Sequence, residues 1–415
     1  VTNTINANGN TYTDDSDPNT GMGNYGWRKR LLPMLSDVMV DVGAKLLNIT
    51  GIQTDVTSKQ SAVSTAATTA TNAATTATNA RDQAVAAANT AASLVLVKQP
   101  SEIAGIDPLV SLQFSGPNAV PTGAITGSSG KWVWRQDGTR INLPAGTAPI
   151  EYDPVTAAVR GLVIESGRAN LILNSDTLTA QAVSVTAQQY TLSYYGTGTV
   201  ALSGAYSATV TSAGTSPTRT TLTFTAAAGA LTLTPTGTVK YAQLEAGWSA
   251  TSYIPTAGST INRAADVNAI TLPYAATRGT LYAEVSWGDI AIAAEIRLDD
   301  GTPLNQASIR WGSALGGSPG ACGALVNVAG ATVVDNRGPS LANNAVHKIA
   351  LSFGPSGYSL SADGSAVVTA SAAIPSGLTR LIFGDGSIYI GRYFLRRLEF
   401  YPAPVADAIL PLLTA

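Results

Sequence analysis

From Trp27 onward, apolar residues return at three- and four-residue steps: Leu31, Leu35, Val38, Val42 and Leu46, with Asp37, Asp41 and Lys45 between them. That spacing predicts a short amphipathic helix. Residues 1 to about 27 are polar and turn-rich, with Asn8-Gly9-Asn10 and a run from Asp14 to Gly21, and show neither a helix nor a strand period. All three methionines, Met22, Met34 and Met39, fall in this first segment, where such adaptable side chains serve either a core or a docking surface.

Between 49 and 97 the pattern is stricter. Ala66 to Asn72 repeats word for word as Ala73 to Asn79, and a seven-residue period is the mark of a coiled coil. Its seam reads Ile49, Ile52, Val56, Lys59, Val63, Ala66, Ala70, Ala73, Ala77, Ala80, Ala84, Ala87, Ala91 and Leu94. Only Lys59 breaks it, and a lone seam lysine fixes register at some cost in stability. Threonine loses side-chain freedom in a helix, so this segment is expected to form when copies associate. About 45 residues at ~1.5 Å each make a stalk of roughly 70 Å. A disordered Ala/Thr linker is the other reading of such a composition; the strict period argues against it.

After Pro100 the period falls to two. Trp132-Val133-Trp134-Arg135, then Asp137-Gly138 and Arg140 to Leu143, reads as a hairpin. Alternating runs follow at Tyr190–Tyr195, Gly198–Gly204, Thr220–Thr225 and Leu231–Thr234, and again from Leu281 to Trp287, Ala294 to Leu298, Ala324 to Val328, Val346 to Phe353, Tyr358 to Ser361 and Tyr389 to Tyr401. Short strands at this spacing predict antiparallel sandwiches. Asp299-Asp300-Gly301 and Ala362-Asp363-Gly364 suit hairpin turns, and Val405 to Leu410 reads as a brief closing helix.

Composition narrows the function classes. In 415 residues, 24 Lys+Arg stand against 26 Asp+Glu, which leaves no basic excess for a nucleic-acid backbone. One cysteine, Cys322, makes neither an intrachain disulfide nor a thiolate cluster, and one histidine, His347, leaves few ways to build a zinc site. Mean hydropathy is +0.15, yet no run of about 18 apolar residues occurs, so no membrane insertion is expected. The start Val-Thr-Asn-Thr-Ile-Asn has no basic stretch followed by an apolar one, so no secretory signal is expected.

Three phrases carry a resemblance. Glu151-Tyr152-Asp153-Pro154-Val155-Thr156 with Arg160 to Ser175 (Arg-Gly-Leu-Val-Ile-Glu-Ser-Gly-Arg-Ala-Asn-Leu-Ile-Leu-Asn-Ser) resembles a passage common in tail-fibre and spike proteins of tailed bacteriophages, and so does Ala242 to Thr256 (Ala-Gln-Leu-Glu-Ala-Gly-Trp-Ser-Ala-Thr-Ser-Tyr-Ile-Pro-Thr). In that family the pair brackets a jelly-roll module similar to carbohydrate-binding modules. Val346 to Phe353, Tyr358 to Gly364 and Leu398-Glu399-Phe400-Tyr401-Pro402 resemble the back half of a concanavalin-like or laminin-G-like lectin sandwich, with Val346 where a Trp often precedes the His. The resemblance covers about 150 to 415 and is specific to the phage context, not to a ligand; the Ala-rich stalk is similar to fibre stalks, which are usually trimeric.

The expected fold is mainly β: an N-terminal anchor, an α-helical trimeric coiled-coil stalk, then two antiparallel β-sandwich (jelly-roll) domains. Segments are 1–48 (virion anchor with a short helix), 49–98 (stalk), 99–168 (β-rich connector), 169–267 (jelly-roll, carbohydrate-binding-like) and 268–415 (concanavalin-like sandwich). The chain is expected to form a homotrimer, with a dimer as the other stoichiometry. It would join tail, collar or baseplate proteins of the virion through 1–48 and bind a bacterial surface glycan or other receptor through its distal sandwiches. The alternatives are a structural head or collar spike without receptor binding, and a polysaccharide depolymerase.

Candidate chemistry is sparse. A hydrolytic triad would have to use His347, which sits at a strand start with no nucleophile motif nearby. A carboxylate pair for glycoside cleavage is open to many sequences, but Asp299, Asp300, Asp363 and Asp385 precede or form glycine turns, so no enzyme activity, cofactor or metal is expected. A calcium ion at Asp299 or Asp300 is the weaker alternative to a plain turn. The spacing of Asp15, Asp17 and Asn19 suits the start of a calcium loop, but Pro18 intrudes and the closing Glu is missing. Sugar binding needs an aromatic platform; Trp287, Trp311, Tyr358 and Tyr393 are candidates in the last segment and Trp248 in the one before.

Overall fold

The computed structural model describes residues 3–14, 26–94, 99–115, 125–288, 294–312, 320–385 and 391–415; the Asp15, Asp17 and Asn19 spacing lies outside them. The chain is mainly β, with several antiparallel sheets and one long N-terminal helix. It divides into two units, Val1–Ala88 and Asn89–Ala415. No described helix is long and apolar enough to cross a membrane.

The long helix, most of which lies in the first unit, runs from Gly26 to Leu94, so the expected boundary near 48 is absent. The reason lies in the period itself. Leu31, Leu35, Val38 and Val42 continue the stalk's three- and four-residue steps through Lys45 to Ile49, which makes one pattern with lysines at two equivalent positions, Lys45 and Lys59. Its 69 residues span about 100 Å at ~1.5 Å each. Pro33 falls in its second turn, where it removes one backbone hydrogen bond. Ten threonine hydroxyls of this helix are satisfied from within: Thr50, Thr54, Thr57, Thr65, Thr68, Thr69, Thr71, Thr75, Thr76 and Thr78 each donate to the carbonyl four residues back at 2.9–3.0 Å. Its apolar stripe is bare. Ile52, Val56 and Val63 are exposed, as are Ala66, Ala70, Ala73, Ala77 and Ala80. Ala84, Ala87 and Ala91 lie in the helix, with side chains outside the described set.

The turn-rich start holds a hairpin that the alternation did not reveal, because its strands, Thr4–Ala7 and Asn10–Thr13, are four residues each. Asn8 and Gly9 take the positive φ values, 48° and 76°, that a two-residue hairpin turn requires. Asn8 and Asn10 donate to the Asp37 carboxylate at 3.1 and 2.9 Å, and the Tyr12 hydroxyl donates to it as well.

In the second unit an eight-stranded sheet runs Val368–Ala370, Gly357–Ala362, Val346–Gly354, Gly279–Trp287, Arg392–Tyr401, Val159–Glu165, Ile150–Tyr152, with Val110–Gln113 also paired to Arg392–Tyr401. A six-stranded sheet is built from Val267–Ala276, Leu378–Asp385, Ala294–Asp299, Gln306–Trp311, Ala321–Val328 and Ala331–Ser340. Leu281, Val285 and Leu398 from the first meet Ile296, Ile309, Val326 and Phe383 from the second in one buried cluster. Segment 99–168 is therefore no spacer, since three of its strands complete this larger sheet. Leu162, Val163 and Ile164 are all fully buried: Leu162 and Ile164 face the main core, while Val163 packs with Val133 and Phe394 under the hairpin Lys131–Trp134/Arg140–Leu143. A strand covered on both faces reads as an unbroken apolar run.

Residues 177–246 form a smaller pair of sheets, three strands (Thr220–Ala226, Gln188–Tyr195, Lys240–Ala246) against four (Ala208–Thr211, Thr199–Gly204, Gly229–Thr236, Gln181–Val185). Tyr190, Leu192, Tyr194 and Phe224 from one and Val200, Leu202, Leu231 and Leu233 from the other share a core. The two recognised phrases close this region by bonding to one another. The Asn170 amide donates to the carbonyls of Ala242 and Ile254 (3.1 and 2.9 Å) and its oxygen accepts from the Leu244 N–H at 3.1 Å. Ser175 meets the Tyr253 hydroxyl at 2.7 Å and accepts from the Thr256 N–H at 2.8 Å. Glu165 accepts from the N–H and hydroxyl of Ser252 at 2.8 and 3.0 Å.

Candidate functional site

Four of the five sequence-predicted aromatics are core residues. Trp287, Trp311, Tyr358 and Tyr393 are 2% exposed or less. Trp287 stacks on Trp311 at 5.9 Å, Tyr393 meets Trp311 edge-on at 5.1 Å, and the Trp287 indole N–H donates to Asn343. None of the four offers an open ring face, although Trp287 stands with Ser286 and Gly288 in the lining of the cleft that Trp248 borders. Trp248 differs: it follows the strand Lys240–Ala246 and is 50% exposed.

Trp248 borders a cleft of about 530 Å³ within the second unit. Its lining takes Thr191, Thr221, Thr223, Arg219 and Trp248 from the region of the smaller sheets, and Ser286 to Gly288, Asn344 to Val346, Arg160, Arg392, Phe394 and Arg396 from the larger eight-stranded sheet and its loops, together with Asp153 and Thr156. Strand alternation explains the placement. In Thr220–Ala226, Thr221 and Thr223 face outward while Phe224 enters the core. In Arg392–Tyr401, residues 392, 394 and 396 share the cleft face while Tyr393 and Leu395 go inward. Val346 also lines the cleft, nearly half exposed. The arginines were not singled out from sequence, although the step of two from Arg392 to Arg396 was a readable signal.

The four guanidiniums divide into two kinds. Arg160 is paired with Asp153 at 2.7 Å and Glu151 at 3.6 Å, and Arg392 with Glu151 at 2.5 Å and Glu165 at 3.1 Å. Arg219 and Arg396 bond to neutral oxygens among the described residues. Arg219 donates to the Thr251 carbonyl (2.6 Å) and the Ser193 hydroxyl (2.7 Å), and Arg396 to the carbonyls of Val159 (2.7 Å) and Arg160 (3.3 Å). Burial lowers Arg396 from its ordinary value, opposed by the Glu284 charge. Burial would raise Asp153, but the Thr156 and Val155 N–H groups and Arg160 outweigh it and hold its carboxyl at about 2.

Beneath the cleft runs a buried charge network. Lys131, Glu165 and Asp266 have fully buried side chains; Lys131 bonds Asp266, and Glu165 bonds Arg263 at 2.6 Å and Arg392 at 3.1 Å. Burial would raise Glu165, yet Arg263, Lys131 and Arg392 with the Ser252 N–H hold it at about 2. Glu245 goes the other way, raised by burial against the opposing pull of Arg219 and Thr251.

His347 is held on both ring nitrogens, Nδ1 to Asp363 at 2.6 Å and Nε2 to the Ala342 carbonyl at 2.7 Å, with its ring against Trp287. No hydroxyl nucleophile occupies the Nε2 position. Asp299 is gripped by Arg297 and Arg380, and Asp300 accepts from Thr302 and Asn305, so both carboxylates are used in tying the turn. Among the described residues no cluster of three or more metal-ligating side chains occurs.

No protein-family model matches the chain, and no curated protein matches it. Among solved structures, the chain is similar to a β-glucanase of Bacillus licheniformis (16% identity, 32% of this chain and 77% of that one, TM-score 0.26). It is also similar to the CBM40 of Ruminococcus gnavus IT-sialidase bound to α2,3 sialyllactose (16% identity, 34% and 84%, TM-score 0.27). A third is the galectin LEC-6 of Caenorhabditis elegans (14% identity, 32% and 88%, TM-score 0.24). At that level of similarity none of the three says what this chain binds.

Proposed function

We propose that this chain is the subunit of a tail fibre or spike of a tailed bacteriophage. It would be a homotrimer through the long helix, joined to the virion by its N-terminal segment, and it would bind a bacterial surface glycan without cleaving it. The phage context comes from the phrases at 151–175 and 242–256. Association is supported by the bare heptad stripe, whose apolar side chains gain from burial only against other copies. In this reading the two regions of paired sheets are the two sandwiches expected from sequence.

The observation that carries the binding half is the half-exposed Trp248 at the rim of a polar cleft. An indole face takes the apolar side of a sugar ring, while Thr221, Thr223 and the arginines meet its hydroxyls. The site so proposed lies between the 169–267 region and the larger sheets, not on the distal sandwich alone. The cleft lining holds one described carboxylate, Asp153, already committed to Arg160, whereas glycoside cleavage asks for two. Several copies side by side multiply a weak single contact by avidity.

The full-length protein, added in excess to susceptible bacteria, is expected to bind the cells and block adsorption of the parent phage. Trp248→Ala is expected to weaken binding roughly tenfold, since a lost aromatic contact is worth about 1–2 kcal/mol. Equal binding to susceptible and resistant cells, or to neither, overturns the receptor reading. A soluble monomer in sedimentation overturns the fibre reading.

A further inference from the structure

We infer that the sugar unit seated against Trp248 is an acidic one, presenting a carboxylate to Arg219 and Arg396. The inference rests on the cleft being a glycan site and adds the chemical class of its ligand. Of the four guanidiniums that line the cleft, Arg160 and Arg392 are balanced by Asp153, Glu151 and Glu165. Arg219 and Arg396 have no direct ion pair among the described residues: their hydrogen bonds end on carbonyl and hydroxyl oxygens. Arg219 directly precedes the strand Thr220–Ala226 and Arg396 lies in Arg392–Tyr401, so the cleft brings together two cations, each acted on only at a distance by a carboxylate, Glu245 and Glu284, without a direct ion pair among the described residues.

A guanidinium is a planar fork whose spacing matches a carboxylate, and an anion on it forms charge-assisted bonds stronger than those to neutral oxygens. Partial burial sharpens the effect, since the charges act through less water. Arg396 is already strained in this sense: burial disfavours its charged form, and the carboxylate that acts on it, Glu284, is shared with Arg397 at 3.7 Å and accepts from the Tyr282 hydroxyl at 2.8 Å. A bound anion supplies the missing countercharge. A neutral sugar leaves the electrostatics of the cleft as they are. The sulfate of a sulfated sugar shares the negative charge but not the planar two-oxygen edge, so the carboxylate is the better fit.

The test is calorimetric titration of the full-length protein with oligomers of galacturonate, glucuronate and mannuronate. The same oligomers after reduction of their carboxyls to alcohols, and sulfated neutral oligosaccharides, serve as comparison arms. At least one uronate oligomer is expected to bind about tenfold or more tightly than its reduced form, and to weaken at high salt. Arg396→Gln is expected to weaken it by roughly ten- to a hundredfold. Because Arg396 also holds two carbonyls, Thr221→Glu is the second variant: it alters an exposed wall residue and places a competing carboxylate in the cleft, and it is expected to abolish the preference while the thermal midpoint stays unchanged. Equal binding of native and reduced oligomers overturns the acidic assignment and leaves the glycan reading standing. A preference for the sulfated arm overturns the carboxylate assignment in the same way. No uronate binding by a protein that still binds susceptible cells overturns the acidic assignment alone, and no binding to oligosaccharides or cells removes both readings.

Discussion

In the helix Gly26–Leu94, Val56 and Val63 stand bare while ten threonine hydroxyls are tied to the helix's own carbonyls. In the second unit Lys131, Glu165 and Asp266 are fully buried, and Val133, Val163 and Val285 are inside with them. One unit keeps its polar groups content and its apolar ones waiting; the other has enclosed both. In the proposed assembly the first owes its stability to association and so to concentration. The second has a core of its own, and its weak points are the charges that the core encloses.

The largest effect is expected from Glu165→Ala, which leaves Arg263, Lys131 and Arg392 facing one another without their shared anion. Removing one partner of a buried pair costs about 3–5 kcal/mol. Denaturant unfolding of the β signal should show that loss, with the helical signal unaffected; a joint loss of both signals breaks the comparison.

Acid probes the same network without mutation. Glu165 and Asp153 are held at about 2, below their ordinary 4.5 and 3.8. Carboxylates lowered in this way stabilise the folded chain above their unfolded values, and that contribution drains away as pH falls from the ordinary values toward 2. For the buried Glu165 it is on the order of 3 kcal/mol. Glu245, raised by burial, favours the folded state on protonation and offsets part of the loss. Unfolding curves of the second unit between neutral and acid pH should fall; a flat profile would mean the network contributes nothing.

In the helix, Val63→Asp puts a charge into the stripe and is expected to cost about 2 kcal/mol per chain or more. Sedimentation and circular dichroism should record it as dissociation and lost helix that rising concentration restores. If the loss does not depend on concentration, the helix does not owe its stability to other copies.

The smallest effect is expected from Arg140→Ala. Its guanidinium lies 4.3–6.0 Å from the rings of Tyr241, Tyr195, Trp134 and Trp132, pinning the hairpin to the neighbouring strands. Loss of such cation–π contacts is worth about 1–2 kcal/mol, and the thermal midpoint of the β signal should drop by a few degrees only.

What the sequence made legible follows from whether the signal was local. The seam was readable because each step is three or four residues, but Lys45 hid its continuation to Leu31. The aromatics were readable by type and misread by face, though the alternation held the answer. Trp287 shares its parity with Leu281 and Val285, Trp311 with Ile309, Tyr393 with Leu395, and Tyr358 with Leu360, all apolar and buried. Trp248 stands outside any such run. The arginines of the cleft come from places more than 200 residues apart, Arg160 and Arg396 for example, and nothing local brings them together.

The bonds between the two phrases have a further consequence. Asn174 bridges to Ala257 and the Gly258 N–H reaches the Leu173 carbonyl at 2.6 Å, so the chain leaves the seam and returns to it at one point. The chain from about 176 to 253 enters and leaves through that doorway. Segments with adjoining ends tolerate replacement and insertion, so a lineage can change the strands beyond this doorway, and with them the Thr221 wall of the cleft, without rebuilding the sheets that receive it.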